Sequence, residues 1–214
     1  MQTLYRKLTL VNQNKKILCC VVLATIMAIV LVGCSASAAQ QSHIRPAGLT
    51  GDQRDLIDFI TAHNSEILLF EFVALESFEA IEFWLETYEY GISVERVQGI
   101  HQVNAEAHEG QLAVIIHNEN GLRDFQWTFI VGQDGTRGSN RVKTSTIDHD
   151  GFARGFGAIT EPVYIQDGQE IILYMSKFSS SGLRTFSDMQ VFVEQPELLA
   201  QYPYVHIIKA RFSR

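Results

Sequence analysis

Four Asx-Gly pairs punctuate the second half of this chain: Asn120-Gly121, Asp134-Gly135, Asp150-Gly151 and Asp167-Gly168, at successive spacings of 14, 16 and 17 residues. Asn and Asp tolerate the left-handed backbone region and Gly enters it without steric cost, so each pair favours a tight reversal. Reversals that close together leave room for strands and little room for helices, which predicts antiparallel β structure. The residues between the turns agree. Phe125, Trp127, Phe129 and Val131 alternate with Asp124, Gln126 and Thr128, giving one buried and one wet face. Leu112 to Ile116, Arg141 to Ile147, Val163 to Ile165, Glu170 to Phe178, Met189 to Val193 and Tyr204 to Phe212 are further strand candidates, bounded by Gly, Pro, Asn or Ser clusters. The expected fold is mainly β, an antiparallel β-sandwich.

Two segments bear on that expectation. Asp52 to His63 has Leu56, Ile57 and Ile60 on one side and Thr50 or Asp52 as a cap, so a short helix is expected there. Residues 77–91 send two signals. On a helical wheel Phe78, Ile81, Trp84, Leu85 and Tyr88 face Glu79, Glu82, Glu86 and Glu89. Phe83 and Tyr90 break that pattern, the segment is rich in aromatics, and Tyr90-Gly91 before Ile92-Ser93-Val94 reads as a hairpin turn. A strand is expected; a helix over 77–90 would make the fold α+β.

The N-terminus has a different character. Arg6, Lys7, Lys15 and Lys16 form a basic region without acidic residues, followed by the uncharged apolar run Ile17 to Val32 of 16 residues, slightly short of the ~17 to 25 that span a bilayer. The run ends in Leu31-Val32-Gly33-Cys34, which resembles the lipobox of bacterial lipoprotein signal peptides. The resemblance implies cleavage before Cys34, lipidation of Cys34 and a membrane-anchored product on the extracytoplasmic face. An uncleaved span is the alternative and leaves the domain on the same side. The expected organisation is a signal peptide over 1–33, a lipidated cysteine and flexible linker over 34–50, and one β-rich domain over 51–214.

Processing changes the charge. Four of the 17 Lys and Arg leave with the leader and none of the 24 Asp and Glu does, so the remaining chain carries net −11. An acidic domain is repelled by nucleic acid and by anionic lipid, so no nucleic-acid partner is expected and the grip on the membrane falls to the lipid anchor. Cys19 and Cys20 leave too and Cys34 is consumed by lipidation, so neither a disulfide nor a cysteine metal site is expected.

The run Ile81-Glu82-Phe83-Trp84-Leu85-Glu86-Thr87-Tyr88-Glu89-Tyr90-Gly91 is similar to a pattern in small, poorly characterised lipoproteins of Gram-positive bacteria. The ending, Pro196-Glu197-Leu198-Leu199 through Tyr204-Val205-His206-Ile207-Ile208-Lys209-Ala210-Arg211-Phe212, is similar to the closing segment of the same group. The resemblance implies an extracytoplasmic β-rich domain and favours the strand over Ile81 to Glu89. It brings no catalytic residue.

Motifs for chemistry are sparse. The sequence contains no Gly-x-Ser-x-Gly elbow, and His108-Glu109 fails as a zincin helix because position 112 is Leu. Asp148-His149-Asp150-Gly151 is the best constellation, weak candidates for ligand or ion contact. Its two carboxylates fall short of the six to eight oxygens that Ca²⁺ takes, and a solvated hairpin turn explains it as well. His101, His108, His117 and His206 are scattered. No metal and no cofactor is expected. Glu82, Glu86 or Asp148 would supply the carboxylate pair of a surface hydrolase, with Trp84 and Trp127 as a stacking platform, although Trp127 lies within a clean apolar face and reads as core. The favoured reading is a non-enzymatic binding or cell-envelope accessory domain with an unknown protein or envelope ligand.

Overall fold

The computed structural model describes residues 41–61, 65–105, 109–118, 125–133, 136–144, 151–180 and 188–214. They form two packed antiparallel sheets, the sandwich expected. One sheet has six strands, ordered β7 (Thr136–Lys143), β6 (Phe125–Gln133), β5 (Glu109–Asn118), β2 (Ser65–Val73), β1 (His43–Pro46) and β9 (Val163–Tyr164). The other has five, ordered β4 (Ile92–Ala105), β3 (Phe78–Glu89), β11 (Tyr204–Ser213), β10 (Glu170–Ser179) and β8 (Ala153–Ala158). A helix α1 (Gly51–Ile60) begins at Thr50, whose side chain accepts from Gln53 N while the Gln53 side chain accepts from Thr50 N, a closed capping box. No described helix is long and apolar enough to cross a membrane.

Residues 78–89 are strand. Ile81, Phe83 and Leu85 point into the core and Trp84 points to the opposite face, yet Trp84 is as buried as they are. Burial on both faces explains why a helical wheel looked plausible: a strand covered on two sides is apolar at nearly every position. The hairpin to β4 turns through Tyr90 and Gly91, with φ of 47° and 81°, as a type I′ turn requires. A Cβ on Gly91 would lie 2.9 Å from the backbone of Ala200, so both conformation and space demand glycine.

Phe70, Phe72, Leu112, Val114, Trp127 and Phe129 of the six-stranded sheet meet Ile81, Phe83, Leu85, Tyr174, Ile208 and Phe212 of the other in one core. Phe212 packs edge-on against Phe72, Phe78 and Phe83, with centroids 5.6, 5.4 and 6.2 Å away. Burial of such rings supplies cohesion of the kind that disulfides give to small domains with little core.

Four expectations are corrected. Met189 to Val193 is not a strand: α2 (Val191–Glu194) and a 3₁₀ helix (Pro196–Gln201) occupy the region. Asp188 accepts from Gln190 N and starts the turn. The Gln190 side chain then bonds both Ile172 N and Ile172 O, standing in for a strand beside the β10 bulge. The strand expected from Arg141 begins earlier, with β7 at Thr136–Lys143, and residues 145–147 of that expectation lie outside the described residues. Within the linker expected over 34–50, His43–Pro46 is strand, and residues 34–40 lie outside the described residues. Ile44 is fully buried there, and backbone pairing to β2 and β9 holds a stretch with little else to bury. The Asx-Gly pairs, finally, do not all mark hairpins. β6 pairs with β7 across 134–135, whereas the chain crosses between sheets after β7, through Gly151, and after β9, through Gly168.

Candidate functional site

The outer face of the five-stranded sheet carries a charged network around Trp84. The Arg96 guanidinium lies over the indole at 4.3 Å from its centroid and that of Arg211 at 5.7 Å. Arg211 donates to Glu82 through Nε at 2.8 Å and also through its terminal amine, and His101 Nδ1 lies 3.4 Å from the same carboxylate. One register step along, Lys209 reaches Glu86 at 2.8 Å, Glu170 at 2.9 Å and the Tyr88 hydroxyl at 3.1 Å. Burial by itself would raise the pKa of Glu82, but Arg211 outweighs it and holds the carboxyl below its ordinary range. Burial and cations compete likewise at Glu86, where Lys209 and the Ser93 hydroxyl prevail. A glycosidase acid needs the opposite shift. Glu82 and Glu86 are therefore ionised struts, and the Trp84 face is closed to a stacking sugar by the two guanidinium groups.

A second network joins the sheets. Arg154 of β8 is bidentate to Glu66 of β2 and donates to the Tyr174 hydroxyl at 2.6 Å and to Ser176 Oγ at 2.7 Å, while Tyr174 donates to Glu66 at 3.1 Å. Burial pushes the Tyr174 hydroxyl well above its ordinary pKa, so it stays a neutral donor.

The open surface lies elsewhere, at the end of the sandwich where the chain enters. His43 is in register with Val73, Val73 with Glu109, Gln111 with Gly132, and Gly132 with Arg137, so these residues share one end of the six-stranded sheet. A recess of 520 Å³ opens there, walled by Arg45, Glu71, Glu109 and Arg137 with Gly132 between them. A second, of 540 Å³, opens between the edge strands β4 and β7, and Gln133 and Arg137 border both. Side chains close the seam behind it: Gln102 Nε2 donates to Gln133 Oε1 at 2.6 Å and Asn140 Nδ2 to Gln98 O at 3.0 Å. In the first recess Arg45 is committed to Glu71 at 3.1 Å. Glu109 and Arg137 make no ion pair among the described residues, which leaves one anion and one cation facing a shared hollow.

Residues 43–211 match the model of the YgaN domain. The chain belongs to the YgaN domain family. No curated protein and no solved structure matches it. The family is poorly characterised, so the site in this YgaN domain rests on geometry.

Of the residues singled out from sequence, Cys34, Asp148, His149, Asp150 and His108 lie outside the described residues. The remaining histidines are kept apart: His101 beside Glu82, His117 on Ser65 Oγ at 2.8 Å, and His206 buried on Thr87 Oγ1 at 3.0 Å. Among the described residues no group of three or more His, Cys, Asp or Glu side chains is placed to hold a metal. The sequence brought up Glu109 only within the failed zincin pattern and gave no sign of Arg137. The available signal was glycine inside strands, at Gly132 and Gly138, where a Cβ would meet nothing within 4 Å and the floor is open.

Proposed function

We propose that this chain is a lipid-anchored extracytoplasmic binding module of a bacterial envelope, of the Gram-positive lipoprotein type, and not a hydrolase. One observation carries the reading. The carboxylates placed for acid and base work, Glu66, Glu82 and Glu86, are each tied to a cation, while Glu109 and Arg137, which make no ion pair among the described residues, sit apart in an open recess suited to contact and not to turnover. The Leu31-Val32-Gly33-Cys34 motif supports the anchor, and two or more acyl chains are what stable anchoring takes.

The test uses the full-length chain produced in a Gram-positive host. Mass spectrometry of the mature N-terminus is expected to find diacylglycerol on Cys34, and Cys34→Ala is expected to leave an unprocessed precursor. Wild-type protein and an Arg137→Gln/Glu109→Gln variant are then incubated with isolated envelope material. Retention on the envelope that falls in the variant, without release of soluble sugars or peptides, supports the binding module. An unmodified Cys34 would overturn the lipid anchor, and sugar release abolished by Glu82→Gln would replace the binding module with the hydrolase.

A further inference from the structure

We infer that the recess between Glu109 and Arg137 takes a small zwitterion bearing a phosphate and a primary amine, the chemistry of a phosphoethanolamine headgroup. The inference deepens the tethered-binding reading and rests on it for the ligand's source.

Position comes first. Eight residues, 35–42, separate Cys34 from β1, and a chain of that length spans about 30 Å at full extension. β1 enters beside the recess: Arg45, two residues into the fold, walls it directly. A lipidated chain thus presents this end of the sandwich within reach of the bilayer surface.

Charge selects the ligand. The mature chain is net −11, so an anionic surface or polymer is repelled as it approaches. A zwitterion carries no such penalty. Within the recess Arg45 and Glu71 neutralise one another, and the remaining pair, Arg137 and Glu109, are of opposite sign without touching. Two strands and two residues separate their Cα atoms, about 12 Å from strand spacing and rise. That gap lets both side chains reach a group between them without bonding each other. Arg137 offers the planar donor fork that fits phosphate oxygens, and Glu109 accepts from an ammonium. Gly132 lies between them on the β5–β6–β7 register, and a Cβ there would meet nothing within 4 Å, so the floor is clear for a ligand.

Both charged groups are solvent-exposed, so the contacts are screened and the affinity is modest. A tether offsets this, because linkage to the surface that carries the headgroup raises its effective concentration to the millimolar range or above.

Calorimetric titration of the full-length chain in maltoside micelles tests the assignment. Glycerophosphoethanolamine, whose phosphodiester and ammonium leave it net neutral like the lipid headgroup, is expected to bind saturably with Kd on the order of millimolar, and inorganic phosphate and ethanolamine each about tenfold or more weakly. Arg137→Gln should abolish the advantage of glycerophosphoethanolamine over ethanolamine, and Glu109→Gln its advantage over phosphate; unchanged denaturant midpoints in both variants would exclude loss of fold. Short-chain phosphatidylethanolamine binding more tightly than the free headgroup names the bilayer as source, and equal binding names a soluble headgroup; either supports the recess chemistry. Absence of saturable binding, wild-type affinity in both variants, or preference for short-chain phosphatidylglycerol overturns it. Lipidation of Cys34 is read separately by mass, so an empty recess on an acylated chain would end this inference and leave the anchor standing.

Discussion

The ring of Phe72 fills the space that a side chain at position 110 would need. A Cβ on Gly110 would lie 2.2 Å from Phe72 Cζ, and the two residues are directly paired between β2 and β5. The ring cannot move aside freely, since Phe83 and Phe212 hold it from the opposite sheet. Gly110→Ala is therefore expected to destabilise by about 1 to 3 kcal/mol through overpacking. Gly138→Ala, whose Cβ meets nothing within 4 Å, should stay within about 0.5 kcal/mol, as surface substitutions do. Urea midpoints compare them, and equal shifts would refute the packing of Phe72 over Gly110.

Trp127 is fully buried against Phe125, Tyr174 and His206, with ring centroids 6.1, 6.3 and 5.6 Å away. Trp127→Ala should cost about 3 to 5 kcal/mol. Gln126→Ala, on the other face of the same strand, should cost little. Comparable unfolding midpoints for the two would show that the inward face of β6 is wrong.

Glu86 and Lys209 make stability depend on pH at both ends of the scale. Glu86 has its folded pKa below the ordinary value of 4.5, so its contribution is present above that value and is lost as pH falls through the folded pKa. Lys209 is shifted in the other direction. Burial would lower its pKa, but Glu86, Tyr88 and Glu170 raise it above the ordinary value of 10.5, so its contribution is present below 10.5 and is lost as pH rises through the folded value. Glu86→Gln should flatten the acid limb of a stability-against-pH curve and also lessen the alkaline one. An acid limb identical to wild type would contradict the pairing.

Arg154 and Glu66 should behave as one unit. Glu66→Ala leaves a mostly buried guanidinium with the Tyr174 and Ser176 hydroxyls but no counter-charge, a change expected to cost about 1 to 3 kcal/mol because Glu66 is partly exposed. Replacing both, as Glu66→Leu with Arg154→Met, should recover much of that loss, since an apolar pair avoids desolvating two charges. A double-mutant cycle measures the coupling, and additive losses would argue against it.

The sequence by itself determined the class of structure, the capped helix at Thr50 and the turn at Tyr90-Gly91. Each depends on neighbours a few residues apart: alternation along a strand, a capping box closed over three residues, a backbone conformation that glycine enters freely. Which strand pairs with which was beyond such signals. Asp134-Gly135 and Asp167-Gly168 are equivalent reversals to the backbone, yet β6 pairs with β7 across the first, and the chain changes sheets after β9 through the second. The candidate site was hidden for the same reason. Glu109 and Arg137 are 28 residues apart in the sequence, and only the register running β5–β6–β7 puts them across one recess. Tertiary structure likewise decided that Glu82 and Glu86 are ion-paired, because their cations come from β11, at the far end of the chain. Long-range pairing is settled by the packing of whole faces against one another, and no local pattern carries that information.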